Sequence, residues 1–136
     1  MDRRRIDRKK TCPLLLRVFW KEEQEISPES LKNRGNELEQ DEVRLYTWKD
    51  ATFREIADML KEHIPGTRRK NAELNFYFIR PNLEGGLERK DIGTVNTIKR
   101  GEVDFMTLNQ LRFVTGDYLG LTIKYTWNNL KDLYSV

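Results

Sequence analysis

Few residues of this chain have the side chains that catalysis or metal binding requires. Its 136 residues include one cysteine, Cys12, and one histidine, His63. With one of each, neither a zinc site of histidines and cysteines nor a histidine-supported serine triad can be assembled convincingly. A Cys12–His63 dyad would lack a third group to orient the histidine. We favour the alternative, a semi-buried small cysteine and a surface histidine at a helix end, and predict a protein without enzymatic activity, cofactor or metal.

Two basic segments could contact nucleic acid. Residues 1–11 have no apolar periodicity, and we expect a disordered tail that acts as a nuclear-import signal or a nucleic-acid contact. A solvated leader is the open alternative. Residues 68–70 have only Tyr77 nearby as a stacking aromatic, which favours a solvated turn over an RNA site. The basic residues of the tail are Arg3, Arg4, Arg5, Arg8, Lys9 and Lys10.

One helix is predicted in the middle of the chain. Thr52 is its N-cap, because the hydroxyl can accept a hydrogen bond from the N–H three residues on. From Phe53 to Ile64 the apolar residues recur on one face of a 3.6-residue helix. Pro65-Gly66 ends the helix. Trp48 is expected in the core, where it would anchor the turn that precedes the helix.

Strands are predicted on both sides of this helix. They cover residues 13–20, 43–47, 74–79 and 118–126, with a short edge strand around 88–92. The order strand, strand, helix, strand, short strand, strand predicts an α+β protein in which one helix packs on a mixed sheet of four to five strands. This is the ubiquitin-like β-grasp. A doubly wound fold is excluded because it needs several crossover helices.

The sheet face opposite the helix is the predicted partner-binding site. The first, third and last strands lie side by side in a β-grasp, and their outward positions hold large apolar residues where a solvated face is normally polar. Such a patch is typical of protein interaction sites. The alternative is that the acidic loop or residues 127–134 fold back over it. The predicted partner-binding residues are Leu15, Arg17, Phe19, Tyr77, Ile79 and Lys124.

Charge is distributed unevenly along the chain, whose net charge is +3. Residues 1–10 hold six basic and two acidic residues, whereas 21–42 hold eight acidic and three basic residues. The remainder is close to neutral and lacks the dense positive field of a nucleic-acid-binding domain. No apolar run is long enough to span a membrane, and a single cysteine suggests an intracellular protein. We divide the chain into a tail (1–11), a domain (12–126) with a long, mobile acidic loop (21–41), and an appendage (127–136).

Specific residues along this domain resemble one known family. They are Thr11-Cys-Pro-Leu-Leu-Leu-Arg-Val-Phe19, Tyr46-Thr-Trp-x-Asp-Ala-Thr52, Asn75-Phe76, Asp91-Ile-Gly93, Met106-Thr-Leu108 and Phe113-x-x-Gly-Asp-Tyr-Leu119. This set is similar to the Sin-three-associated polypeptide family of small eukaryotic nuclear proteins, from about Ile6 to Ile123. The chain departs from the family in its longer acidic loop and in its end after Ile123.

The resemblance implies a ubiquitin-like fold and an adaptor role in two kinds of nuclear assembly. One comprises Sin-three corepressor and histone deacetylase subunits. The other is the splicing-linked complex on the exon junction, with Acinus or pinin and an RRM-bearing serine-rich-domain protein. It implies a nuclear location, including nuclear speckles and some cytoplasmic protein, with RNA bound only indirectly and no membrane association. The alternative function is an RNA-associated module acting through the basic tail.

Overall fold

The computed structural model of the protein describes residues 6–28 and 41–126. Within these residues two strands precede one α-helix and three strands follow it, with 3₁₀ turns at Pro65–Arg68 and Glu102–Phe105. The strands are β1 (Leu14–Glu22), β2 (Glu42–Thr47), β3 (Ala72–Pro81), β4 (Leu87–Asn96) and β5 (Tyr118–Tyr125), and the helix is α1 (Phe53–Leu60).

The five strands form one mixed sheet in the order β2-β1-β5-β3-β4. The antiparallel β1–β2 pair opens the chain, and α1 then carries it across the sheet. The last strand, β5, lies parallel to β1 and antiparallel to β3. This arrangement is the ubiquitin-like β-grasp, so the predicted fold class is confirmed.

Strand β4 is longer than the sequence predicted. It pairs with β3 over ten residues, from Leu87 opposite Pro81 to Asn96 opposite Glu73. Its polar composition hid this length, because an edge strand that is largely solvated has no strict apolar alternation. Gly93, with φ 147°, also interrupts the apolar pattern, and a side chain there would meet Val103.

The helix packs its apolar stripe on one face of the sheet. Phe53, Ile56, Ala57 and Leu60 are buried against β1, β3 and β5, and the Thr52 hydroxyl accepts from the Glu55 N–H at 3.1 Å, as the sequence predicted. The helix ends at Leu60, earlier than the pattern suggested, although Ile64 is still buried after the turn. In the described ranges no helix is long and apolar enough to cross a membrane.

Residues 6–11 form a turn against the domain, in contrast to the expected disordered tail. Arg8 donates to Asp50 at 2.8 Å and to Glu55 at 3.0 Å, and its guanidinium lies 5.0 Å from the centre of the Trp48 ring. Trp48 is only half-buried, and its indole N–H donates to the Thr11 carbonyl at 2.8 Å. Trp48 therefore anchors the N-terminal turn, so its expected place in the core was wrong.

Candidate protein-interaction face

The sheet face opposite α1 is largely covered, so the exposure predicted for three of its residues was wrong. Phe19, Tyr77 and Ile79 point away from the helix as predicted, but they are 2%, 0% and 0% exposed. With Ile26 they form a second apolar cluster, separate from the main core, with Leu87 and Tyr118 at its border. The outward set was assigned correctly, and a segment of the acidic loop shields it from water.

The covering segment is the first part of the acidic loop, residues 23–28, which we call the strap. Glu23 adopts φ 60° directly after β1 and turns the chain back over the sheet, where its N–H donates to the Ile123 carbonyl at 2.8 Å. Three residues on, Ile26 places its side chain in the second cluster and is 1% exposed. The strap therefore matches the alternative considered above, in which the acidic loop folds back over the sheet face. Residues 29–40 of that loop lie outside the described residues, and so does the predicted appendage, 127–136, including the alternative cover 127–134.

A relay of hydrogen bonds attaches the strap to the buried polar groups of the sheet. The Ile26 N–H donates to the Tyr77 hydroxyl at 3.0 Å. The Thr122 hydroxyl donates to the Gln24 carbonyl at 3.1 Å, so the 3.0 Å contact between Tyr77 and Thr122 takes its proton from Tyr77. Each hydroxyl therefore has both a donor and an acceptor as partner, which removes the cost of burying it.

Gly120 at the centre of β5 makes room for the Tyr77 ring. Gly120 pairs with Phe19 on one side and Tyr77 on the other, so the three residues form one row across the sheet. A Cβ atom at Gly120 would lie 2.1 Å from a ring carbon of Tyr77. The missing side chain lets the ring lie flat on β5, which brings its hydroxyl to Thr122.

Arg89 on β4 forms the charged rim of this cluster. Its guanidinium lies 3.9 Å from the centre of the Tyr77 ring, and it pairs with Glu25 of the strap at 2.9 Å and with Asp91 at 2.7 Å. The hydrogen bond from Arg89 lowers the pKa of Glu25, and the same bond raises the pKa of Arg89. The rim therefore favours a negative charge next to the buried isoleucine.

The part of this face over β1 and β2 is not covered by the strap. Arg44 has a side chain 63% exposed, and Tyr46 is also 63% exposed. Tyr46 stands opposite the half-buried Leu15, and Arg44 opposite the half-buried Arg17. Arg17 Nη2 donates to Glu42 at 3.0 Å, and this pairing lowers the pKa of Glu42 and raises that of Arg17.

The predicted site residues therefore fall into separate groups. Leu15 and Arg17 lie on the uncovered part, and Lys124 is exposed beyond the strap. Phe19, Tyr77 and Ile79 lie beneath the strap. Tyr46, Ile26 and Arg89 were not predicted. Ile26, an isolated aliphatic residue in an acidic segment, was the available signal for the strap.

The predicted basic sites are dispersed. Lys9 and Lys10 are exposed, whereas the ion pairs of Arg8 raise its pKa and neutralise its charge. The group at 68–70 cannot use Tyr77 for stacking, because that ring is buried, and Arg69 lies over Tyr125 instead. Three of the predicted residues, Arg3, Arg4 and Arg5, lie outside the described residues.

The two residues considered for a catalytic dyad both lie at the surface. His63 is exposed as predicted, whereas Cys12 is exposed and the prediction of a semi-buried cysteine was wrong. Within residues 6–28 and 41–126 no group of three or more His, Cys, Asp or Glu side chains could hold a metal ion. The sheet face opposite α1 instead offers a covered apolar cluster and an uncovered part that combines Leu15 and Tyr46 with Arg17 and Arg44.

Comparison with known proteins gives a consistent set of relatives. The family model for Sin3 associated polypeptide p18 (SAP18) matches residues 5–123. The chain is 44% identical over 120 residues to the histone deacetylase complex subunit SAP18 of Arabidopsis thaliana, covering 87% of this chain and 78% of that protein. It is 39% identical over 119 residues to the protein of the same name in Homo sapiens. The match covers 87% of this chain and 77% of the human protein.

A weaker similarity exists to a solved structure, the C-terminal ubiquitin-like domain of mouse tubulin-specific chaperone e. The sequence identity is 11% and the TM-score 0.42, over 88% of this chain and 93% of that chain. A similarity of this degree supports no conclusion about function.

Proposed function

Because this chain belongs to the Sin3 associated polypeptide p18 (SAP18) family, we propose that it is a non-enzymatic adaptor subunit of a nuclear histone deacetylase complex. The main support is the family match over residues 5–123, which includes the helix, the first four strands and β5 as far as Ile123. The relatives named as deacetylase complex subunits extend from a plant to a human protein. Sin3 corepressor and histone deacetylase subunits are the partners that this membership supports.

The uncovered surface of β1 and β2 is our proposed contact for these partners. It combines the exposed ring of Tyr46 with the aliphatic Leu15 and the guanidinium groups of Arg17 and Arg44. Tyrosine and arginine are, with tryptophan, the residue types enriched at the centres of protein interfaces. Lys124, on the far side of the strap, would lie at the rim of such an interface.

A second assembly is also proposed, in which the chain joins Acinus or pinin and an RRM-bearing serine-rich-domain splicing regulator on the exon junction. Its basis is the resemblance of the sequence motifs to the family, and it adds nuclear speckles and some cytoplasmic protein to the expected locations. In this assembly RNA is bound by the partners. The basic residues at the N-terminus, including Lys9 and Lys10, then act in nuclear import.

Affinity purification of the tagged chain from nuclear extract, followed by mass spectrometry, tests these proposals. We expect deacetylase complex subunits to be enriched, and splicing regulators if the second assembly forms. Tyr46→Asp should reduce their recovery at least tenfold, because it introduces a charge at the interface centre. Phe105→Asp is the matched control, since Phe105 is 62% exposed and Tyr46 63%.

Recovery of neither group of proteins with the wild-type chain would contradict the adaptor function. Equal losses with Tyr46→Asp and Phe105→Asp would contradict the assignment of the β1–β2 surface. Steep salt-dependent RNA binding by the purified chain, without protein partners, would favour the RNA-associated alternative.

A further inference from the structure

The groove beneath the strap has the features of a peptide-binding site. Three adjoining strap residues each meet a different recognition group: the Gln24 carbonyl meets the Thr122 hydroxyl, the Glu25 carboxylate meets Arg89, and the Ile26 N–H meets the Tyr77 hydroxyl. The Ile26 side chain then fills an apolar hollow. Backbone groups and alternate side chains are read in the same way when extended peptides bind to sheets.

The walls of this hollow are provided by the sheet itself. Phe19 and Tyr118 meet edge to face, with ring centres 5.2 Å apart, and Ile79 and Tyr77 complete the floor. Every one of these residues belongs to β1, β3 or β5, whose pairing involves no residue of the strap. The residues that line the groove are therefore positioned by strand pairing and not by the strap.

The strap, in contrast, buries one side chain, and hydrogen bonds and the Glu25–Arg89 ion pair provide its other attachments to the sheet. Ile26 is its only member in the second cluster, and the Glu25 side chain that meets Arg89 is 51% exposed. The strap is not a strand of the sheet, and it can leave without breaking the pairing of any two strands. A ligand with the same groups can therefore compete for the groove.

We propose that this groove is a peptide-docking site that the chain fills with its own strap, and that a segment of a partner protein takes the strap's place. The segment is extended and carries an acidic residue followed directly by a β-branched aliphatic residue. The acidic residue pairs with Arg89 and the aliphatic residue replaces Ile26. This inference rests on the proposed adaptor function in one respect, namely that the ligand belongs to a protein partner.

A titration of the full chain with its own strap peptide tests the groove without any partner. The probe is the blocked heptapeptide of residues 22–28, and backbone amide shifts are followed by NMR up to millimolar peptide. Ile26→Ser and Glu25→Arg each release the strap, the first by removing the anchor and the second by reversing the charge that faces Arg89. Glu25→Arg alters an exposed side chain and keeps the test available if Ile26→Ser does not fold.

We expect saturable shifts at Gly120 and Arg89 in the released variants, and at least tenfold weaker binding to the wild-type chain, whose groove is occupied. The same peptide with serine in place of isoleucine should not bind. Absence of binding to a folded, released variant would overturn the proposal. Equal binding to released and wild-type chains, or equal binding of the serine peptide, would also overturn it.

Recovery of partners from nuclear extract tests whether a partner uses the groove. Glu25→Arg should raise the recovery of the partner that docks there, because it removes the competing strap. Arg89→Gln should lower it. Unchanged recovery of every partner in both variants would overturn displacement by a partner. If the wild-type chain recovers no partner at all, the adaptor function fails, and the peptide titration still decides whether the groove binds peptides.

Discussion

Removing one hydroxyl group from the second cluster should loosen the strap. In Tyr77→Phe the ring and its packing remain, but the Ile26 N–H loses its acceptor and Thr122 loses the donor that faces it, both at 3.0 Å. An unsatisfied buried polar group costs about 1–3 kcal/mol. The loss of stability in Tyr77→Phe cannot exceed the free energy with which the strap docks. If the cost were larger, the strap would undock and the Ile26 N–H would bind water. We therefore expect a loss of about 1–2 kcal/mol.

Tyr46→Phe is the matched control for this change. It removes the same hydroxyl from a ring that is 63% exposed, and it should alter stability by less than about 0.5 kcal/mol. Urea unfolding followed by circular dichroism measures both variants, and amide hydrogen exchange at Ile26 measures the strap directly. A loss of 1–2 kcal/mol corresponds to about 5–30-fold faster exchange. Unchanged exchange at Ile26 in Tyr77→Phe would refute the relay between the strap and the sheet.

Other substitutions test the core, the ion pairs and the covered face. Leu60→Ala should lower the free energy of unfolding in urea by about 2–5 kcal/mol, because it leaves a cavity between α1 and the sheet. Lys61→Ala on the surface should lower it by less than about 0.5 kcal/mol. Equal effects would contradict the orientation of the helix. Arg17 lowers the pKa of Glu42 below its ordinary 4.5, so this pair stabilises the fold above that pH and its contribution is lost as the pH falls through the lowered value. Glu42→Gln should therefore show a smaller fall in melting temperature between pH 6 and pH 3 than the wild-type chain, and identical pH profiles would contradict the pairing. Phe19→Asp should destabilise the domain by about 3 kcal/mol or more, because it places a charge in the covered cluster, whereas Lys124→Asp at an exposed position should leave melting nearly unchanged.

The fold was predictable because local signals and topology agreed. The capped, amphipathic helix around Phe53–Leu60, the apolar run in 13–20 and the alternation in 118–126 are local patterns, and their order along the chain admits few arrangements. Strand β4 was less visible. Its pairing partner β3 decides its length, and an exposed edge strand needs no apolar residue at every second position.

The covered face could not be predicted from alternation alone. Alternation correctly separates Phe19, Tyr77 and Ile79 from the residues that face the helix. Whether such residues contact water depends on a segment outside the strands, and nothing in strand periodicity reports on it. The strap depends on a single residue, Ile26, and on the positive φ of Glu23, which is unusual for a non-glycine residue.

The N-terminal turn was missed for a similar reason. A run of charged residues is normally solvated, and the charged residues Asp7 and Lys9 on either side of Arg8 gave no sign of packing. Its partners, Asp50 and Glu55, are more than forty residues away, at the start of the helix. Charge pairing over such distances is determined by the tertiary fold, so the sequence of the tail alone predicts disorder.

The adaptor function is tested most directly by deacetylase activity that co-purifies with the chain. Tagged chain is isolated from nuclear extract, and the release of acetate from an acetylated histone peptide is measured in the eluate and with the recombinant chain alone. We expect activity in the eluate well above that of a free tag, and none with the recombinant chain. An inactive eluate that lacks deacetylase subunits, or activity of the chain by itself, would contradict the adaptor function.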